Sequence, residues 1–354
     1  MEGLFFDCRY IRIDHHDGIS RFSAGLFKEL AELIEVTAIV SDLRQLDKLP
    51  AGVQFVMLSD PTSALEPLVA FKLNKLGAKV VFSPMQTIGS LGRKFKLILT
   101  VHDLIYYRHP TPPPSFSFFV RALWRLYHLT FWPQRLLLNR SDAIVAVSET
   151  TKNLIEKHKL TKRPVNVVYN AAEDAPSDAS PRQAPKTKSL VYMGSFMDYK
   201  NVELLISGMN LLQDFELRLL SRVTPARRAE LEKLIPAGAN VTFLNGVSEE
   251  EYQAELDKSF ALVTASKDEG FGIPLVEAMA LGIPIVVSNI EIFKEIGAKA
   301  GIYFDPESPE SFAAAVRNLE GKNWHEASKE AIVQAKNFSW SKSAKSLLKT
   351  IQSL

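Results

Sequence analysis

Sulfur chemistry is nearly absent from this chain: its 354 residues include one cysteine, Cys8. That count excludes an internal disulfide and a cysteine cluster for zinc, and it suits a reducing compartment. Seven histidines are scattered except for His15-His16, so no zinc spacing is present. Excess charge is missing too. Forty-two Lys and Arg stand against 40 Asp and Glu, a net +2 that gives no general drive toward nucleic acid. No run of eighteen or more uncharged apolar residues occurs, so nothing is expected to span a membrane. The opening Met-Glu-Gly-Leu-Phe-Phe-Asp-Cys-Arg carries an early acid and too short an apolar run for a secretory signal. A cytoplasmic chain is expected, with no nucleic-acid partner.

What is present is the composition of a soluble globular protein, 46% hydrophobic and 23% charged, at a length that fits two domains. Apolar runs at 3–11, 36–41, 53–58, 79–82, 97–101, 143–147 and 165–169 read as strands in the first half. Runs at 190–193, 216–220, 241–244, 261–265, 284–288 and 301–304 repeat the theme in the second. Helical patterns such as 19–33 and 149–157 separate several of them. Strands alternating with helices predict an α/β chain with mostly parallel sheets covered on both faces. Residues 173–188 are rich in Pro, Ser and charge and poor in large apolar residues, the composition of a linker. The expected domains are 1–174 and 189–337, joined by 175–188. Two Rossmann-like domains joined this way would face each other across a cleft. The closing segment 338–354 reads as an amphipathic helix with Trp340, Ala344, Leu347, Leu348 and Ile351 on one face.

The most informative residues are Glu269 and Glu277, in Lys-Asp-Glu-Gly-Phe-Gly-Ile-Pro-Leu-Val-Glu-Ala-Met-Ala-Leu-Gly. The run 260–266 predicts a buried strand leading into a Gly-rich loop; Pro274 opens a short helix that Gly282 and Pro284 end. Glu269 then lies in the loop and Glu277 about one turn into the helix. Both are at the carboxyl end of a strand, where open α/β sheets place ligands, beside a helix start that favours anions. Two hydroxyl-accepting carboxylates there suit a nucleotide sugar. A solvated loop glutamate plus one that favours the helix dipole is the plainer account.

This spacing and its surroundings resemble the paired-glutamate motif of family 4 retaining glycosyltransferases of the GT-B architecture, and the likeness runs over nearly the whole chain. It implies that Glu277 accepts the ribose hydroxyls, that Glu269 bonds hydroxyls of the transferred sugar, and that backbone amides at Gly270, Phe271 and Gly272 meet sugar and phosphate oxygens. Tyr192-Met-Gly-Ser-Phe-Met-Asp-Tyr-Lys resembles the family's phosphate-binding turn. Lys200 would meet the diphosphate and Gly194 would let the turn close. Ser195 stands where an arginine is common, leaving Arg222 as another source of charge. Backbone at Gly246-Val247 would meet the base. Near the start, Asp7-Cys-Arg9 and Asp17-Gly18 look like the family's first strand and glycine loop. Gly18 would approach the donor, although Asp17-Gly18 also suits an ordinary strand-to-helix turn. His102-Asp103 follows a predicted strand, and Val-His-Asp-Leu-Ile-Tyr-Tyr-Arg-His-Pro is similar to mannosyltransferase-like members. The implied role of His102 is a hydrogen bond to a donor-sugar hydroxyl, and Asp17, Arg21 and Asp103 are candidate acceptor contacts. Ser148 is expected to be a helix N-cap only. In the family the closing helix packs back across the domain junction.

Residues 115–138 hold seven aromatic side chains and, at helical spacing, Arg121, Arg125, His128 and Arg135; Pro133 would kink or split the helix. Two readings stand: docking on an anionic membrane surface or capture of an anionic lipid-linked acceptor, and a packed helix with a solvated basic side. The first would place the chain peripherally at the inner face of the membrane.

The resemblance implies metal-independent, same-face transfer of a hexose through oxocarbenium-like charge, with no cofactor required, from GDP-mannose or another nucleotide-hexose to a glycan or lipid-linked acceptor. A nucleotide-sugar epimerase of the same architecture would need an acid-base pair that the motifs do not show. A non-catalytic nucleotide-sugar-binding subunit would be favoured by loss of Glu269, Glu277 or Lys200, and all three are present.

Overall fold

The computed structural model describes residues 3–14, 17–112, 117–172 and 180–354. His15-His16, residues 113–116, which take in the start of the aromatic segment, and the 173–179 part of the expected linker lie outside them. The chain divides into two compact units, residues 1–171 with 339–354, and residues 172–338.

In the first unit the described strands are β1 (Leu4–Asp7), β2 (Thr37–Val40), β3 (Phe55–Met57), β4 (Val80–Ser83), β5 (Lys96–Val101), β6 (Ala143–Ala146) and β7 (Val165–Val167). All pair in parallel, in the order β3-β2-β1-β4-β5-β6-β7. The apolar runs of the inner strands are buried on both faces, Phe6 pairing with Ala38 on one side and Phe82 on the other, while Phe55 and Met57 of the edge strand β3 are exposed. The chain order reverses between β1 and β4, creating the switch point at which such sheets hold ligands.

The second unit repeats the design. Strands β8 (Ser189–Tyr192), β9 (Glu216–Leu219), β10 (Asn240–Phe243), β11 (Ala261–Thr264), β12 (Ile285–Ser288) and β13 (Gly301–Phe304) run parallel in the order β10-β9-β8-β11-β12-β13. The switch point falls between β8 and β11. Leu190, Leu217, Val263, Val286, Phe304 and Phe312 belong to one apolar core beneath it.

Three local findings refine the sequence expectations. Residues 180–188 are fastened to the second unit: Arg182 pairs with Asp257 at 3.0 Å, and Lys188 with Asp214 and Glu320 at 2.6 Å each. Composition marks this stretch as linker-like but cannot show such long-range ion pairs. Second, the aromatic segment is two helices, Phe118–His128 and Trp132–Leu138, broken before Pro133, whose ring removes a backbone donor. Its solvent face is apolar where a basic one was expected. Phe118, Phe119, Leu123 and Leu126 are exposed while Arg121 and His128 are half-buried, and Arg135 donates to the carbonyls of His158 and Lys159. Third, the closing helix Trp340–Gln352 packs on the first helix, Gly18–Leu33. Trp340, Ala344, Leu347 and Ile351 are buried there, and the Trp340 ring lies edge-on to Phe22 at 6.2 Å.

Candidate active site

At the second switch point, the loops after β8 and β11 bring three of the expected residues into defined geometry. After β11, Gly272 takes the cap position of the helix Ile273–Ala280 at φ +96°, a conformation that L side chains rarely adopt. Because the cap carries no side chain, the helix start stays open to an anion. Glu277 is on this helix and only 7% exposed. Its Oε2 accepts a hydrogen bond from the Tyr252 hydroxyl at 2.8 Å, which orients the carboxylate and offsets its burial. Gly270 and Phe271 are buried, the latter against Phe338 edge-on at 5.6 Å.

After β8, Gly194 donates its amide to Ser221 Oγ at 3.0 Å. A Cβ on Gly194 would sit 2.7 Å from the Tyr192 hydroxyl, so the turn admits glycine only without a shift of that ring. The hydroxyl itself donates to the Ser195 carbonyl at 2.6 Å, shaping the loop, while Ser195 is exposed. Lys200 closes a 3-10 turn, Asp198–Lys200, and Asn201 follows at φ +53°. Its ammonium donates to Glu269 Oε1, with side chains 13% and 18% exposed. The loops are joined again by Lys267, whose amide donates to the Tyr199 carbonyl at 2.8 Å. Lys200 and Glu269 therefore form a partly desolvated ion pair at the strand ends, and an ammonium with three hydrogens keeps two for an incoming phosphate.

Arg222, after β9, is exposed and makes no ion pair among the described residues. It lies over the Asn245-Gly246 turn, where a Cβ on Gly246 would meet its side chain at 2.7 Å. Val247, next along, is half-buried.

In the first unit, His102 follows β5. Its Nε2 donates to the Pro84 carbonyl at 2.7 Å, and Phe22 stands edge-on to the ring at 5.2 Å. Burial pushes the imidazole below the usual histidine range, against the opposing pull of Pro84, Asp103 and Asp17. At neutral pH the ring is therefore uncharged with its hydrogen on Nε2, and Nδ1 is an acceptor. Asp103 caps the turn after it, accepting from the Ile105 amide at 3.0 Å. Asp17 caps the first helix, accepting from the Ser20 amide at 2.8 Å, and pairs with Arg12 at 3.1 Å. Gly18 begins that helix and is exposed; Arg21 is half-buried one turn on. Ser148 caps its helix through the Thr151 amide at 3.0 Å.

Beside Asp17 opens a cleft of about 460 Å³ whose lining includes Arg9, Tyr10, Arg12, Asp42 and Asp60. Arg9 anchors its floor: the guanidinium grips Asp7 at 2.8 and 3.0 Å and Glu66 at 2.7 and 2.9 Å, all buried. Sequence reasoning missed Glu66, 57 residues from Arg9, and Tyr252, 25 residues from Glu277. Tyr252 and Leu256 share a helix face and read as core, so nothing local signals the hydroxyl's partner.

Among the described residues no three His, Cys, Asp or Glu side chains are grouped as a metal cage. Residues 175–338 match the family model Glycosyl transferases group 1, and residues 16–175 match Glycosyltransferase Family 4. The chain is a family 4 glycosyltransferase. An O-antigen chain mannosyltransferase of Salmonella typhimurium, RfbU, is 28% identical over 324 residues, spanning 86% of this chain and 87% of its own. O-antigen chain mannosyltransferase B of Escherichia coli is 26% identical over 258 residues, 69% of this chain and 67% of its own. The family 4 fold, GT-B, is shared with sucrose-phosphate synthase from Thermosynechococcus elongatus, at TM-score 0.76, 16% identity and coverage of 99% and 98%. An Anabaena protein, HepE, in complex with UDP and glucose, matches at TM-score 0.69 and 16% identity, covering 99% of this glycosyltransferase and 100% of its own chain.

Proposed function

We propose that this glycosyltransferase moves mannose from GDP-mannose to a glycan acceptor of the surface-polysaccharide kind, with retained configuration and no metal. The transfer reading rests on one observation, the Lys200–Glu269 ion pair at the switch-point strand ends, within the motif that also carries Glu277. Lys200 is assigned to the diphosphate, whose charge grows as the bond to the sugar breaks, so that a fixed cation lowers the barrier. Glu277, oriented by Tyr252, is assigned to the ribose hydroxyls. Glu269 is assigned to a sugar hydroxyl while it holds Lys200. Amides at Gly270, Phe271 and Gly272, with Ser195, are assigned to phosphate and sugar oxygens, and Gly194, whose amide is held by Ser221, lets the turn close against them. Arg222 is assigned a supporting phosphate contact and Val247 the base. In the first unit Gly18 takes backbone contacts and His102 accepts from a sugar hydroxyl through Nδ1. Asp17, Arg21 and Asp103 are assigned to acceptor hydroxyls. Mannose as the sugar, and a polysaccharide precursor as the acceptor, are supported by the likeness to the two O-antigen chain mannosyltransferases.

The test is slow donor hydrolysis by purified protein offered GDP-mannose, UDP-glucose or ADP-glucose, with and without EDTA. GDP-mannose should be consumed fastest and EDTA should change nothing. Preference for another donor would reassign the sugar, and loss of activity in EDTA would end the metal-free reading.

A further inference from the structure

The helix Phe118–His128 has its apolar side turned the wrong way for a packed helix. None of its described side chains is buried. It rests on the unit through a stripe of rings: Trp124 stacks on His128 at 4.0 Å and meets Tyr106 edge-on at 5.1 Å, and His128 lies against Tyr107 at 5.0 Å. The opposite stripe, Phe118, Phe119, Leu123, Leu126 and Leu129, is 64% to 79% exposed. Trp132, at the start of the next helix, continues it at 66%. A soluble surface seldom leaves so many large apolar side chains contiguous unless something covers them.

The rim of this face is positive. Arg125 projects into solvent within the stripe. At its far end Phe131 lies against His158 at 4.4 Å, and Arg135 donates to the His158 carbonyl at 2.8 Å. Burial, then the charges of Lys157, Arg108 and Arg135, hold His158 below the ordinary histidine range, and Arg135 with Lys157, the residue before His158, puts positive charge at this end of the apolar stripe. A second copy of the chain would bring like charges together across such a face. An anionic lipid surface complements both parts, with acyl-chain boundary for Phe and Leu and phosphate for Arg and Lys. The helix is too short to span: among the described residues no helix is long and apolar enough to cross a membrane.

We propose that the outward face of Phe118–His128, continued by Trp132, docks this glycosyltransferase on an anionic bilayer, lying in the interface plane. The docking is independent of which sugar the site transfers.

The experiment is co-sedimentation of the full chain with vesicles of phosphatidylglycerol and phosphatidylcholine, and with phosphatidylcholine alone, for wild type, Phe118→Ser/Phe119→Ser/Leu123→Ser and Arg125→Glu. Wild type should bind the anionic vesicles more tightly than the neutral ones, and less tightly as salt rises. The triple variant should lose about tenfold or more in vesicle affinity, since three apolar side chains no longer enter the interface. Arg125→Glu should lose a few-fold, on anionic vesicles only, in the range of one charge near the surface. Circular dichroism and donor hydrolysis without vesicles should match wild type in both variants, because the altered residues are exposed and outside the donor motifs. Wild type that ignores anionic vesicles at low salt, or a triple variant that binds as wild type does, would overturn the proposal. So would a wild-type dimer that the triple variant dissolves while neither binds vesicles, which would give the face to a second copy.

Discussion

Tyr252 gives its hydroxyl hydrogen to Oε2 of Glu277 at 2.8 Å, and both side chains are buried. The carboxylate thus has its direction fixed before any nucleotide arrives. Tyr252→Phe removes one charge-assisted hydrogen bond without altering the ring. Nucleoside diphosphate affinity should fall by about 0.5–1.5 kcal/mol, roughly 2- to 12-fold, against a loss of about 2–3 kcal/mol for Glu277→Ala, which removes the ribose acceptor itself. Isothermal titration distinguishes the two; equal losses would mean that Tyr252 touches the nucleotide directly.

Lys200 and Glu269 partly neutralise each other, so their substitutions should act in opposite directions on the first step. Lys200→Ala should cut turnover about a hundredfold, as loss of one preorganised donor does, with a smaller change in the apparent Michaelis constant. Ser195, where a second cation is common in the family, leaves little to compensate. Glu269→Gln should also lower turnover, but affinity for the bare nucleoside diphosphate should stay level or rise by roughly two- to fivefold, because the ammonium no longer shares its charge in a partly desolvated pair. Fluorescence or calorimetric titration with GDP checks this, and weaker GDP binding by Glu269→Gln would show that the pair is needed to place Lys200.

Acid should destabilise the first unit before its carboxylates titrate. His102, His128 and His158 are all held below the ordinary histidine range, with burial the leading cause in each. The unfolded chain then takes up protons near pH ~6.5 while the folded chain does not, so stability is full above that pH and falls as pH drops below it. Asp42 and Asp142 of this unit are shifted down, and their contribution is lost only at lower pH. The denaturant midpoint should drop between pH 7.5 and pH 5, and His102→Gln should show a shallower drop. An identical slope in His102→Gln would mean that the ring accepts a proton in the folded state as readily as in the unfolded one.

Much of the fold was legible because parallel strands covered on both faces need uninterrupted apolar runs. Every run that reads as a strand, from 3–11 to 301–304, overlaps one of the strands β1 to β13. The loop position of Glu269 and the helical position of Glu277 follow from Gly272, Pro274 and Gly282, which act locally. Contacts between distant residues were not legible. Neither Glu66 around Arg9 nor Asp257 on Arg182 leaves a mark near its partner. The helix Phe118–His128 shows a different limit: periodicity reveals two faces and not which one the protein turns outward. There, the contacts of Trp124 with Tyr106 and of His128 with Tyr107 decided the matter.

Trp340 fills the space over Gly25, where an added Cβ would come within 2.4 Å of its ring, and the helix it starts belongs to the unit that begins the chain. During synthesis the first helix emerges from the ribosome more than three hundred residues before that indole does. The surface around Phe22, Gly25 and their neighbours must wait, uncovered, while the whole second unit is made and begins to fold on its own. The first unit, made before the second, is therefore completed after it, and truncation anywhere before residue 340 should leave a first unit with an open apolar seam, recognisable to chaperones however well the second unit has formed.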